Sequence, residues 1–449
     1  MTLQNMIQRT LLQRLRDWRK NPDRKPLILR GARQTGKSTL VDIFSKDFDV
    51  YLHLNLDDED DRMLFEKYKN IDKLVDAIYV HCNQRKSDAP TLVFIDEIQN
   101  SPQAVMMLRF FYEKANYLYV VCAGSLLESL IGNRISFPVG RVQYAAVRPC
   151  SFLEFLSATG GDFDKELIEN QTADLAHERI MSAFRNYCIV GGMPAAVNCY
   201  SQKNDILAAD DVYETLITSY SYDVEKYAPS DTMAKVLRFI ITNGWKFGGE
   251  TITFERFANS PYKTREMSEA FQIIEKSMLL ELAYPVVSAE MPLLPAFTRR
   301  PKLLWLDTGI INYVAQIRRE VFSVDNIQDV WRGRIAEHIV AQEMIAYNSK
   351  FSAKRNFWVN PKNGATSEVD FVYPFQGLCI PIEVKSGVNA HLKSLQVFME
   401  SAPHGIAVRI WSKPLEINDL ATKDGRPFKL INLPFYYISE LEKVLEREL

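Results

Sequence analysis

The stretch Gly31-Ala32-Arg33-Gln34-Thr35-Gly36-Lys37-Ser38 constrains this chain more than any other. It fits G-x-x-x-x-G-K-[ST], a loop whose backbone N–H groups cradle phosphates. The mechanism needs a strand before the loop and a helix after it. Pro26-Leu27-Ile28-Leu29-Arg30 is a short apolar run that reads as a buried strand, and Ser38-Thr39-Leu40-Val41-Asp42-Ile43-Phe44 continues with apolar residues at helical spacing. Gly31 and Gly36 allow the backbone to turn successive N–H groups toward an anion at the helix N-terminus. Residues Gly31 to Thr39 are therefore read as the nucleotide-binding segment, with ATP as ligand. Lys37 reaches the β/γ-phosphates, and the Ser38 hydroxyl binds Mg²⁺.

Thr91-Leu92-Val93-Phe94-Ile95-Asp96-Glu97 is an apolar strand ending in two carboxylates, which looks like a Walker B motif. Asp96 belongs to the Mg²⁺ shell, and Glu97 orients and polarises the attacking water. Further strands read at Val50–Leu56, Tyr117–Ala123 and Gln143–Val147, and a helix carrying Ile7, Leu11, Leu12, Leu15 and Trp18 precedes the first. The acidic run Asp57 to Asp61 reads as a solvated loop or helix start rather than a metal site. Ser125, after the Tyr117–Ala123 strand, is a candidate γ-phosphate sensor or a plain turn serine. Arg141 is a candidate arginine finger acting on a neighbouring molecule's nucleotide, or a surface arginine, and Arg148 is a second candidate. A finger in trans implies self-association.

At 449 residues the chain has room for about three domains of ~150 residues. Its formal net charge of −2 announces no nucleic-acid binder, although a local basic face remains open. No apolar run approaches 18 residues, so no membrane span is expected. The N-terminus has no signal-peptide core, and the six cysteines are scattered without a C-x-x-C pair. Both point to reduced thiols and a cytoplasmic location.

Gly160-Gly161 marks a boundary, followed by helical patterning that breaks at Gly191-Gly192-Met193-Pro194 and resumes from Tyr213 to Tyr227. From Asp231 the spacing predicts three helices: one ending at Asn243-Gly244, a short one over Thr253–Ala258, and a third capped by Thr264 and running to Ser277. A strand over Met278–Tyr284 follows. Three helices and a strand pair read as a winged helix. Such a module either docks a helix in DNA, here through Lys263, Arg265 and Lys276, or mediates protein contacts.

The C-terminal part carries a second constellation. Gly333 to Glu343 reads as a helix with Glu337 in its periodic pattern. Ser367–Tyr373 is a strand with Asp370 at its centre, and Gly377–Lys385 is the next. Period-2 alternation puts Glu383 and Lys385 on one face, where Asp370 on the adjacent strand can join them. Two carboxylates there bind Mg²⁺ or Mn²⁺ through oxygen, and the lysine positions water or offsets phosphate charge.

Several of these residues together resemble AAA-type ATPases. Asp96-Glu97-Ile98-Gln99, Gly124-Ser125, Gly140-Arg141 and Arg148-Pro149-Cys150-Ser151-Phe152-Leu153-Glu154-Phe155-Leu156 resemble one prokaryotic group of them, related to the archaeal ATPases. That group typically carries Leu at the Cys150 position and commonly Thr at Ser38, has a similar Gly-Gly-Met-Pro turn in its helical lid, and has a motif like Lys302-Leu303-Leu304-Trp305-Leu306-Asp307-Thr308-Gly309-Ile310 in its C-terminal domain. Glu337, Asp370, Glu383 and Lys385 resemble the PD-(D/E)xK nuclease core, with Val369 where its proline stands. The resemblance implies an α/β multidomain protein: a P-loop parallel-sheet ATPase core over 1–160 with the P-loop strand central, a helical lid over 161–229, a winged helix over 230–297, and a restriction-endonuclease-like mixed α/β domain over 298–449. It implies an ATP-hydrolysing protein with a nuclease-like domain acting on DNA through Mg²⁺ or Mn²⁺ at Glu337, Asp370 and Glu383. The other reading is a nucleotide-dependent switch, or STAND-like regulator, whose C-terminal domain only binds nucleic acid or protein.

Overall fold

The computed structural model describes residues 7–124, 138–226, 228–316, 334–362, 367–385 and 392–449. Five strands make the first sheet: β1 (Leu27–Arg30), β2 (Val50–Asn55), β3 (Thr91–Asp96), β4 (Tyr119–Gly124) and β5 (Gln143–Ala146). Their order is β2-β3-β4-β1-β5, and every pairing is parallel. Such sheets need cover on both faces, so their strands run nearly continuously apolar. Alternation divides the cover: Leu27 and Leu29 pack with Leu15, Trp18, Leu40 and Phe44, while Ile28 joins Leu74, Ile78, Leu108 and Phe111 on the other face. The P-loop strand β1 is interior but not central. β4 takes the centre, inserted between β1 and β3, so the two phosphate-side strands flank it.

Helices Asp162–Glu169, His177–Val190, Pro194–Lys203 and Asp210–Lys226 occupy the stretch expected as the lid, and Asp231–Asn243 follows them. The helix expected over Thr253–Ala258 is only a 3₁₀ turn, Phe257–Asn259, with Ala258 at φ 51°. Pro261 disfavours a helical Ser260, which is extended at φ −66°, ψ 150°. The following helix, Thr264–Lys276, is capped from Lys263 rather than Thr264, and the Lys263 N–H donates to Glu266 at 3.1 Å. Strand β6 (Leu280–Ala283) pairs antiparallel with β8 (Lys302–Trp305), across position 297, while β7 (Pro285–Val286) leaves for a second sheet.

That second sheet has seven strands in the order β13-β14-β12-β11-β10-β9-β7. Its members are β9 (Asn356–Val359), β10 (Glu368–Phe375), β11 (Leu378–Val384), β12 (Ile406–Trp411), β13 (Glu416–Ala421) and β14 (Pro427–Pro434), with β7 at the edge. β9, β10 and β11 form an antiparallel meander, and β12 joins β11 in parallel. Helices Arg334–Ala346 and Lys393–Ser401 pack against the sheet. Among the described residues no helix is long and apolar enough to cross a membrane, and all six cysteines are free.

One buried knot joins these parts. Gly191, at φ 69°, turns the chain between two lid helices. The Gly192 N–H donates to Asp307 Oδ2 at 2.6 Å, and the Gly192 carbonyl accepts from the Cys150 N–H at 2.6 Å. Gln342 donates to the same Asp307 oxygen at 3.3 Å, and its own carbonyl oxygen accepts from the Thr308 N–H at 2.8 Å. The next residue, Glu343, accepts from Tyr187 Oη at 2.6 Å and the Phe152 N–H at 3.1 Å. Burial pushes the Asp307 carboxyl up to about 6 and that of Glu343 up to about 7, although these donors favour the charged forms. Both folded values lie above the ordinary carboxyl range. Between about pH 4 and 7 the folded protein therefore holds protons that the unfolded chain has released, and stability falls as pH rises through that window.

Thermal melts should show Tm falling from pH 5 to 7.5, with a slope of at most about 1.4 kcal/mol per pH unit for each proton. Glu343→Gln should flatten part of that slope. In Gly192→Ala the added Cβ meets the Cys150 carbonyl, and urea unfolding should show a loss of ~1–3 kcal/mol.

Candidate functional site

β1 ends at Arg30, and the loop turns through Gln34 at φ 63° and Gly36 at φ 89° into the helix Lys37–Phe44. Left-handed backbone at Gly36 aims the loop's N–H groups inward at the helix N-terminus. Thr35 Oγ1 braces the turn by donating to the Ala32 carbonyl at 2.9 Å. The buried Lys37 ammonium donates to the carbonyls of Gly31 and Ala32 at 2.9 and 2.8 Å. Burial lowers Lys37 to about 8, a fall that the charges of Glu97 and Asp96 oppose. Gln34 and Thr39 are exposed at the rim.

β3 delivers the two carboxylates. Ser38 Oγ donates to Asp96 Oδ2 at 2.6 Å. This puts a hydroxyl and a carboxylate oxygen side by side, a donor set suited to a hard divalent cation such as Mg²⁺. Glu97 sits at φ 51°, its N–H donates to Asp96 Oδ1 at 2.9 Å, and its carboxylate accepts from the Gln99 amide.

Two residues of this site escaped the sequence reading. The Arg9 guanidinium donates to the Thr35 carbonyl at 2.9 Å, the Arg148 carbonyl at 2.6 Å and Glu154 at 2.9 Å, strapping the loop from outside. Asp223 comes from the lid helix Asp210–Lys226 and lies 2.8 Å from Arg33 of the loop as an ion pair. A signal for it existed: Tyr213, Leu216, Tyr220 and Val224 mark the buried stripe of that helix, and Asp223 is the charge on that stripe. Tyr220 Oη also donates to the Arg33 carbonyl at 3.2 Å.

The remaining nucleotide-side candidates are placed as follows. Ser125 lies outside the described residues. Arg141 pairs with Glu113 of its own chain at 2.8 Å. Arg148 donates to the carbonyls of Asn348 and Lys350 at 3.2 and 3.5 Å, so it docks the C-terminal part. It borders a junction cavity of about 200 Å³ together with Trp305, Phe351 and Arg355.

At the second constellation, the register Phe371↔Ile382 sets Asp370 opposite Glu383 on β10 and β11. Directly opposed residues of an antiparallel pair share a face. Asp370 Oδ2 accepts from the Val384 N–H at 2.7 Å, and Lys385 Nζ lies 2.6 Å from Glu383. Burial, then the charges of Glu337 and Glu383, push the Asp370 carboxyl well up. Burial also raises Glu383, against the pull of Lys385. Glu337 comes from the helix Arg334–Ala346, but its partner is Lys302 Nζ at 2.9 Å, which also reaches Glu368 at 3.1 Å. Glu337 is thus held by Lys302, while its charge still acts on Asp370 and Glu383. Among the described residues no three acidic, histidine or cysteine side chains gather as around a metal ion. Two ammonium groups lie against this cluster, Lys302 at Glu337 and Glu368 and Lys385 at Glu383. Lys302 was missed because it opens a four-residue apolar strand far from the motif.

A phosphate-cradling loop, a hydroxyl–carboxylate pair and a parallel sheet with helices on both faces define a P-loop nucleotide-binding domain. Residues 23–156 match the family model of an AAA domain, so this is an AAA-type P-loop core. Residues 181–321 and 332–434 match two models described as domains of unknown function, DUF8612 and DUF4143. No curated protein matches the chain. Similar solved structures include the Walker-type ATPase of Pyrococcus abyssi (12% identity, TM-score 0.45, 70% of this chain and 97% of that one). An Aeropyrum pernix ORC1 protein in complex with DNA has 11% identity and TM-score 0.27, over 70% of this chain and 93% of that one. The Thermotoga maritima RuvB Holliday junction branch migration motor has 13% identity and TM-score 0.27, over 62% and 90%.

A nucleotide phosphate at Lys37 favours the ammonium form, so ATP binding should take up protons near pH 8. ATP affinity, measured by calorimetry, should weaken as pH rises above about 8. Lys37→Ala should abolish binding and with it this dependence.

Proposed function

We propose that this chain is a Mg²⁺-dependent ATPase whose nucleotide site governs a nuclease-like C-terminal domain. The observation that carries the ATPase reading is the 2.6 Å contact of Ser38 Oγ with Asp96 Oδ2, one residue along from the buried Lys37. Ser38 and Asp96 are the residues that would hold Mg²⁺, which would supply positive charge to offset that of the phosphates. The loop N–H groups and Lys37 bind the β/γ-phosphates. Glu97, held by Gln99, orients the attacking water and takes its proton. Arg141 acts as a finger only across a self-associated pair, since within the chain it is engaged by Glu113.

The meander β9–β11, with Asp370 facing Glu383 and a helix supplying Glu337, supports the PD-(D/E)xK reading of the C-terminal fold. The helix Thr264–Lys276 with the β6–β8 hairpin supports a winged helix, whose exposed Lys263 and Arg265 are its DNA-facing candidates. The Lys276 carbonyl accepts from Arg30 at 3.2 Å, so that end faces the ATPase core instead. One observation favours the second reading, a nucleotide-dependent switch whose C-terminal domain binds nucleic acid or protein without cutting it. Lys302 and Lys385 pair with the carboxylates that metal-dependent cleavage of DNA by Mg²⁺ or Mn²⁺ requires.

Glu97→Gln should bind ATP with wild-type affinity and hydrolyse it ~10²–10⁴-fold more slowly. Phosphate release at wild-type rate in that variant would remove Glu97 from the mechanism. Turnover per molecule should rise with protein concentration, and Arg141→Ala should lose that rise; a flat profile in both proteins leaves Arg141 a surface residue.

A further inference from the structure

We propose that Lys302 is the resident cation of the C-terminal carboxylate cluster, delivered from the neighbouring unit, so that the resting protein binds no divalent metal there. The inference rests on the nuclease-like reading of that domain. It reverses the expected state of its site.

The geometry is specific. Lys302 is 2% exposed, although lysine is almost never fully buried unless paired. Its ammonium bridges Glu337 at 2.9 Å and Glu368 at 3.1 Å, the first on a helix and the second opening β10. The rings of Phe357 and Phe371 lie 5.0 and 5.6 Å from it, while the Glu337 and Glu368 side chains keep 22% and 37% exposure. Lys385 takes Glu383 in the same way, leaving Glu383 Oε2 buried without a hydrogen-bond partner. A divalent ion needs several oxygens at about 2.0–2.6 Å. Here Glu337 and Glu383 each turn an oxygen to an ammonium group, and Asp370 Oδ2 accepts from the Val384 N–H.

The source of the lysine is the informative part. Lys302 lies on β8, held by antiparallel pairing to Ala283 of β6 and by a bridge to Thr251. It falls within residues 181–321, matched by one family model, whereas Glu337, Glu368, Asp370, Glu383 and Lys385 all fall within 332–434, matched by the other. The carboxylate domain does not supply this cation itself. Glu337 and Glu368 hold this cation only while the β6–β8 hairpin is seated. Removal of the hairpin, not arrival of a metal alone, is then the condition for a metal-binding state.

The test is Mn²⁺ titration of the full-length protein without nucleotide, read by the paramagnetic signal of free Mn²⁺ and by Tm. Wild type should retain no Mn²⁺ that Asp370→Asn removes, and its Tm should not move. Lys302→Met should bind one Mn²⁺ at least tenfold more tightly than wild type and gain Tm with it. Both effects should vanish in Lys302→Met/Asp370→Asn. Should Lys302→Met fail to fold, Lys302→Gln, which keeps an amide donor for the two carboxylates, takes its place. Wild-type Mn²⁺ binding that is lost in Asp370→Asn would overturn the lysine plug and leave the nuclease-like reading standing. A folded, ATP-binding Lys302 variant that takes up no Mn²⁺ would overturn the plug and the metal-competent reading together.

Discussion

The Asp307 carboxylate has no bulk water to turn to, and three separate stretches of chain are arranged around it so that it needs none. The lid turn gives the Gly192 N–H, the helix after β8 gives the Ile310 N–H, and the helix Arg334–Ala346 gives the Gln342 amide. A buried acceptor left without its donors costs ~1–3 kcal/mol, more when charged. None of these stretches can leave without exposing that cost. Glu343, the residue after Gln342, repeats the arrangement, gathering Tyr187 of the lid and the Phe152 N–H of the ATPase core. The lid, the β6–β8 unit and the C-terminal domain are thereby one mechanical body at this point. Close approach explains why glycine stands at 191 and 192.

Two buried lysines show how differently the same side chain can be used. Lys37 has only carbonyl oxygens as hydrogen-bond partners, and burial lowers it to about 8. Burial acts on Lys302 in the same direction, but Glu337, Glu368 and Asp370 reverse it and hold the ammonium above its ordinary value. The first is a cation whose charge is incompletely answered, and a phosphate completes it. The second is already answered by carboxylates. On charge alone, the nucleotide loop is built to receive an anion, and Lys302 is not.

How much of this was legible in the sequence follows from how local each interaction is. The P-loop was legible because its chemistry is carried by eight consecutive residues and their backbone. The opposition of Asp370 and Glu383 was legible because a strand's period of two leaves only one face for each. Arg9, Asp223 and Lys302 were not, because each finds its partner in a distant stretch, and neither spacing nor composition fixes which elements meet. The same holds for β7, two residues that leave one unit to edge another sheet, and for β8, whose pairing with β6 crosses the intervening loop. Propensity failed at Thr253–Ala258, where a following proline and tertiary packing reduced a predicted helix to one turn.

Arg33 makes the nucleotide loop and the lid mutually dependent. Its ion pair with Asp223 is partly buried, at 28% and 11% side-chain exposure, so its partners are screened less than surface charges are. Asp223 is raised by burial, and the charges of Glu97 and Asp57 add to that rise while Arg33 opposes it. It also sits within the field that acts on Lys37. A triphosphate at Lys37 places several negative charges beside a carboxylate already disfavoured there, and beside an arginine able to pair with either. Phosphate and Asp223 therefore compete for Arg33. Asp223 rides on the helix Asp210–Lys226, whose Tyr213 bonds the Val190 carbonyl next to the Gly191-Gly192 turn. A change in which anion holds Arg33 thus bears on the helix that is tied to the Asp307 knot.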